Sequence, residues 1–147
     1  LSLAGNKTLI AGGTSGIGRA LAEHFVAAGA KVVNTGRHAR GQTLSPKSAP
    51  ILYDECGQWR GSVGRYGIGV ECLGGCIDTL ILNAGVGIDA GRYDQLDIEA
   101  YKKLFDIMFA AAHGIRDGVK FMQAGGSIVV TASPAGVYAA LMLLIYF

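Results

Sequence analysis

The chain has 147 residues, half of them hydrophobic and only 16% charged, with a formal net charge of +2. One domain with a real core is within reach of that length. The balance excludes a disordered segment, a charged coiled coil and a strongly basic nucleic-acid surface.

Lys7 to Ala11 is a short apolar run closed by glycines, which predicts a buried strand. Ile17, Leu21, His24, Phe25 and Ala28 recur at helical spacing, so Gly16 to Ala28 is predicted as an amphipathic helix that Gly29 stops. Lys31 to Thr35 is a second strand. Strand, glycine turn, helix and strand make a βαβ unit, whose right-handed crossover sets the two strands parallel. His38 to Pro50 is polar, holds Pro46 and Pro50, and is predicted as loop. Ile51 to Tyr53 is a candidate third strand. Gln58 to Gly75 carries Gly61, Gly64, Gly67, Gly69, Gly74 and Gly75. At about 1 kcal/mol per helical glycine, it should be the least regular part of the chain.

Asp78 to Asn83 is a further buried strand. Asp97 to Met122 shows an apolar stripe, Tyr101, Leu104, Met108, Ala111, Ile115, Val119 and Met122, which predicts one long helix ended by Gly125 and Gly126. Ser127 to Thr131 is another predicted buried strand. Apolar strands alternating with helices indicate an α/β fold, a parallel sheet covered on both faces, within a single domain over 1–147.

Three cysteines, Cys56, Cys72 and Cys76, do not suggest a disulfide framework, so a reducing, cytoplasmic setting is expected. No paired Cys or His completes a metal site beside Cys72 and Cys76. Leu1 to Lys7 shows no targeting pattern. Val137 to Phe147 is uncharged but short of the about 20 residues a spanning helix needs, and Thr131, Ser133, Pro134 and Gly136 interrupt any extension. A buried helix opening is expected there instead of a membrane span. Leu141 to Phe147 is apolar around the full helical turn, which predicts self-association through this end together with the Tyr101 to Met122 helix.

The chemistry begins at Gly12-Gly13-Thr14-Ser15-Gly16-Ile17-Gly18, between the first strand and the first helix. Glycine is needed where backbone approaches a pyrophosphate, and a helix N-terminus offers free N–H groups and a positive dipole. The spacing is G-x-x-x-G-x-G, and no Gly-Lys-Ser/Thr follows to make a P-loop. Taken alone, the loop reads equally as a tight turn. Three further landmarks follow in order: Asn83-Ala84-Gly85 after the Asp78 strand, Ser133 after the Ser127 strand, and Tyr146.

Together these resemble the short-chain dehydrogenase/reductase family, over most of Lys7 to Phe147 and most weakly over Gly41 to Gly75. The resemblance implies a Rossmann-type doubly wound parallel sheet of order 3-2-1-4-5. The family's members run to roughly 250 residues, within the range of one α/β domain, so the fold here would be incomplete at its C-terminus. It implies that Gly12, Gly16 and Gly18 line the pyrophosphate, with Thr14, Ser15 and Ile17 in the same loop. Ala11 stands where the family usually has Thr. Asn83, Ala84 and Gly85 fall on the cofactor side, Asn83 tying the sheet's C-terminal edge to it. Asp54 resembles the acidic residue that faces the adenine, and reads equally as a solvated loop carboxylate.

Cofactor choice follows from charge. An acid at the end of the second strand binds a ribose 2′-OH and repels a 2′-phosphate. Here Gly36 and Arg37 occupy that place, Arg40 is near, and no carboxylate lies between Glu23 and Asp54. A guanidinium suits a phosphate, so NADP(H) is expected in preference to NAD(H).

By the same resemblance Ser133 would polarise a substrate carbonyl and Tyr146 would be the general acid or base. A tyrosine of ordinary pKa near 10 is only about 0.1% phenolate at pH 7. The family lowers that pKa with a Lys four residues after the Tyr, a position beyond Phe147. The family's helix Asn falls at Met108. The implied activity is hydride transfer between NADP(H) and a small-molecule carbonyl or alcohol, with little or no turnover expected from these 147 residues by themselves. The alternative is a non-catalytic nucleotide-binding or scaffold fragment without the active-site Lys and Asn.

Overall fold

Strands with no polar face need cover on both sides. The computed structural model, which describes residues 2–36, 51–53, 69–86 and 97–133, supplies it for the strands at Lys7, Lys31 and Ile77. Strands β1 (Lys7–Ala11), β2 (Lys31–Gly36), β3 (Ile51–Tyr53), β4 (Ile77–Leu82) and β5 (Met122–Val130) form one sheet in the order β3-β2-β1-β4-β5. Every neighbouring pair is parallel. The order is the one the family resemblance implies.

Successive strand residues point to opposite faces. Leu9, Ala11, Val33, Leu80 and Leu82 build one core layer with Val70, Leu73 and Ile77, backed by Ala111 and Phe121. Ile10, Val32 and Ile81 build the other with Ala22 and Ala30, backed by Leu21 and Phe25. The second layer lies under helix α1 (Gly16–Ala27). Helices α2 (Ile98–Met108) and α3 (Ala110–Gly118) follow β4, and a 3-10 turn, Val119–Phe121, leads into β5.

Helix α1 ends as the sequence predicts, one residue early. Gly29 N donates to Val26 O and Ala30 N to Phe25 O, the paired bonds that close a helix through a glycine. The same closure appears in a less expected place. Residues 69–72 are helical, Val70 and Leu73 are buried, and Gly74 N and Gly75 N donate back to Glu71 O and Val70 O. Two of the six glycines that argued against helix there stand past a helix end instead of inside it. Residues 58–68 of that stretch lie outside the described residues.

The long helix also differs from expectation. It is interrupted at Phe109, ends at Gly118, and leaves Gly125 and Gly126 inside β5. The helix approaches the sheet on small residues. A Cβ at Gly118 would fall on Leu80 Cδ2. Leu104, Ile107, Ala110 and Gly114 are therefore buried, while Ile115 and Val119 of the predicted stripe are exposed. In β5, Ile77 pairs with Met122 but Thr79 with Ser127, so β5 bulges over that stretch and Gly125 takes φ +90. The predicted strand from Ser127 is its regularly paired part, but it is exposed and not buried as expected, because β4 is its sole strand neighbour among the described residues.

Asp117 on α3 is fully buried, and Arg116 Nη2 and Lys120 Nζ reach it at 3.0 and 3.1 Å. Its hydrogen bond and charge raise the Arg116 pKa above its ordinary value. Among the described residues no helix is long and apolar enough to cross a membrane.

Candidate functional site

In an open parallel sheet, ligands bind outside the carboxyl ends of the strands where the strand order reverses. That point here lies between β1 and β4. The β1–α1 loop crosses it and is held from both sides. Gly12 N and Gly13 N both donate to Thr35 O of β2, at 2.8 and 3.0 Å. The Thr14 side chain lies against Gly36, where a Cβ would collide with its Oγ1.

On the other side the loop rests on the end of β4. Gly12 has φ +80, and a Cβ there would sit 2.7 Å from the Ala84 backbone. A Cβ at Gly18 would strike Gly12 O and come within 2.6 Å of Asn83 Nδ2. The close seat of the loop therefore requires glycine at both positions.

The opposite surface of the loop is open. Ser15, Gly16 and Ile17 are exposed, and a Cβ at Gly16 would meet nothing within 4 Å. Ser15 stands at the N-cap with extended backbone, its side chain makes no capping bond, and the first turn of α1 holds no acidic residue. Uncapped N–H groups at the positive end of a helix are what an anion requires. Open backbone at Gly16 and the uncapped turn fit the pyrophosphate of a dinucleotide.

Asn83 joins three strand ends. Its backbone N donates to Ala11 O at 2.9 Å and its Nδ2 to Gly12 O at 3.1 Å. Its Oδ1 accepts from Thr131 Oγ1 at 2.9 Å, while Thr131 N donates to Leu82 O at 3.0 Å. Ala84 lies under Gly12, and Gly85 is exposed. Ser133 is exposed two residues beyond Thr131. Gly12, Thr14, Gly18, Asn83, Ala84 and Thr131 thus meet along one edge of the sheet.

Thr131 was not among the predicted site residues. Its only signal in the sequence is a hydroxyl closing an apolar run just before Ser133. Arg37, Asp54 and Tyr146 lie outside the described residues, as do residues 134–147. Met108 closes α2, and its side chain is likewise outside them. Among the described residues no group of three or more His, Cys, Asp or Glu side chains could hold a metal ion.

Comparison with known proteins bears on this geometry. The model of a family described as short chain dehydrogenase matches residues 65–147. A cis-2,3-dihydrobiphenyl-2,3-diol dehydrogenase of Paraburkholderia xenovorans is 32% identical over 147 aligned residues, covering 94% of this chain and 53% of that protein. An NADP-dependent (R)-specific alcohol dehydrogenase of Lentilactobacillus kefiri is 31% identical, covering 91% of this chain and 56% of that protein. A short-chain dehydrogenase of Burkholderia cenocepacia, solved in complex with NADP, superposes with a TM-score of 0.85 at 22% identity. That superposition covers 99% of this chain and 63% of the other. The chain spans about half the length of the curated relatives it matches.

Proposed function

The chain belongs to the short-chain dehydrogenase family, and we propose that it is the cofactor-binding part of an NADP(H)-dependent oxidoreductase. The reaction would interconvert a small-molecule carbonyl and the corresponding alcohol. One observation carries this reading: an uncapped α1 N-terminus beneath an open glycine loop that Asn83 clasps to the ends of β4 and β5. Gly12, Gly16 and Gly18, with Thr14, Ser15 and Ile17, line the pyrophosphate, and the open backbone from Ser15 to Ile17 makes the contact. Asn83 and Ala84 hold the loop's floor, Gly85 follows them on the cofactor side, and Asp54 faces the adenine. When bound, the nicotinamide supplies or accepts the hydride. Ser133 Oγ donates a hydrogen bond to the substrate oxygen, and Tyr146 Oη gives or takes the proton.

Preference for the 2′-phosphate rests on Arg37 directly after the last residue of β2 and on the lack of a carboxylate between Glu23 and Asp54. The NADP-dependent relative and the NADP-bound neighbour support the same choice. Fluorescence titration should show NADPH binding more tightly than NADH. Arg37→Ala should weaken NADPH by roughly tenfold, the value of one charge-assisted contact, and leave NADH unchanged. Equal affinities in the unaltered chain would remove the basis for the preference.

Self-association belongs to the same reading. Ile98 on α2, Phe109 at the break between α2 and α3, Ile115 on α3 and Val119 in the following turn are exposed, Phe109 at 58%. Apolar surface of this kind finds a partner. Light scattering after size exclusion should give more than the monomer mass at tens of micromolar, and Phe109→Glu should lower it. A clean monomer before any substitution contradicts the idea.

A further inference from the structure

We propose that Asn34 is a positioning residue for the glycine loop, coupling cofactor binding to the second strand. Asn34 lies mid-β2, beside Ile10 of β1, in a row whose other members are apolar. Its residue exposure is zero, and neither Oδ1 nor Nδ2 has a hydrogen-bond partner. A valine or leucine would pack there at no polar cost, and the neighbouring Val32 and Val33 show what this strand otherwise uses.

The amide is directed at the loop. A Cβ placed on Gly13 would collide with Asn34 Oδ1 and lie 2.7 Å from its Cγ, so the carboxamide presses against the Gly13 backbone from below. Just above in β2, Thr35 O receives the Gly12 and Gly13 N–H groups, and Gly36 receives the Thr14 side chain. Three consecutive β2 residues therefore form the seat of the loop. Two of them are satisfied by contacts with it, and the third, Asn34, carries an unspent donor and acceptor against it. An amide so placed is costly unless some arrangement of the loop uses it. The arrangement that uses it is the one fixed by a pyrophosphate on Gly12–Gly18, in which the Gly13–Thr14 peptide bonds the carboxamide while the Gly12 and Gly13 N–H groups stay on Thr35 O.

This rests on the cofactor reading above, and the experiment separates the two. The unaltered chain, Asn34→Leu and Asn34→Val are compared by thermal unfolding and by NADPH titration. Leu keeps the branched shape of Asn at a larger volume, and the smaller Val guards against overpacking. Both variants should unfold at the same or a higher temperature than the unaltered chain, because a buried unpartnered amide is gone. Both should nevertheless bind NADPH roughly three- to tenfold more weakly, the worth of a lost hydrogen bond. Stability and affinity moving apart is a result that a merely structural role does not produce. Unchanged affinity overturns the proposal. So does weaker binding with lower unfolding temperatures in both variants, since a loosened strand explains it. An unaltered chain that binds no NADPH overturns the cofactor reading itself and this inference with it.

Discussion

Gly12→Ala should eliminate measurable NADPH binding and unfold the chain at markedly lower denaturant. Gly12 has φ +80, where an L side chain costs about 1–2 kcal/mol. Its Cβ would also stand 2.7 Å from Cα and N of Ala84, backbone atoms that cannot rotate aside. Overpacking of that kind typically costs about 1–3 kcal/mol. The two together come to about 2–5 kcal/mol, a large part of the 5–15 kcal/mol that holds a typical domain together. Gly16→Ala is the control. It pays for φ +50 but meets nothing within 4 Å, so its loss of stability should stay near 1 kcal/mol, while the new methyl group would stand where the proposed reading puts the pyrophosphate. Urea unfolding and NADPH titration on both variants give the comparison. A Gly12→Ala chain as stable as the unaltered one would mean that the loop does not lie on Ala84 as described.

What could be read from the sequence was local. The apolar runs at Lys7, Lys31 and Asp78 are short, bounded by glycine or polar residues, and buried on both faces, so pattern and structure coincide within a residue. The stop at Gly29 depends only on the five residues before it. The strand order came from the family resemblance, since spacing cannot order parallel strands. The features that pattern missed depend on what lies across the sheet. Gly118 is a contact with Leu80, and nothing within α3 announces it. Because small residues carry that packing, the large apolar side chains of Ile115 and Val119 misdirected the periodicity. Gly125 and Gly126 looked like a helix stop because a bulge in β5 is a property of the pair β4–β5. Asn34 and Asp117 are polar residues whose burial only the packed fold reveals. Within the site, the glycine loop and Asn83 stood out by their spacing, whereas Thr131 is visible only once β5 is placed beside β4.

That placement makes Asn83→Ala the second large effect. The substitution removes the donor to Gly12 O and the acceptor for Thr131 Oγ1 at once, and so uncouples β1 from β5 at the ligand edge. Each net hydrogen bond is worth about 0.5–1.5 kcal/mol, so about 1–3 kcal/mol of stability should go. Thr131→Val removes one of the two bonds and should cost about half as much. In the double variant the shared bond is lost only once, so the two costs should fall short of additivity by about 1 kcal/mol. Asn83→Asp separates the roles. Its carboxylate still accepts from Thr131 but cannot donate to Gly12 O, and it adds negative charge on the side where the pyrophosphate would lie. Stability should fall less than in Asn83→Ala only if the Thr131 bond dominates, whereas NADPH binding should suffer more in Asp than in Ala. Denaturant midpoints for the four chains measure the coupling, and titration measures the charge effect. Full additivity of Asn83→Ala with Thr131→Val would show that the side chains do not act on each other, and the clasp would then reduce to the single bond from Asn83 to Gly12.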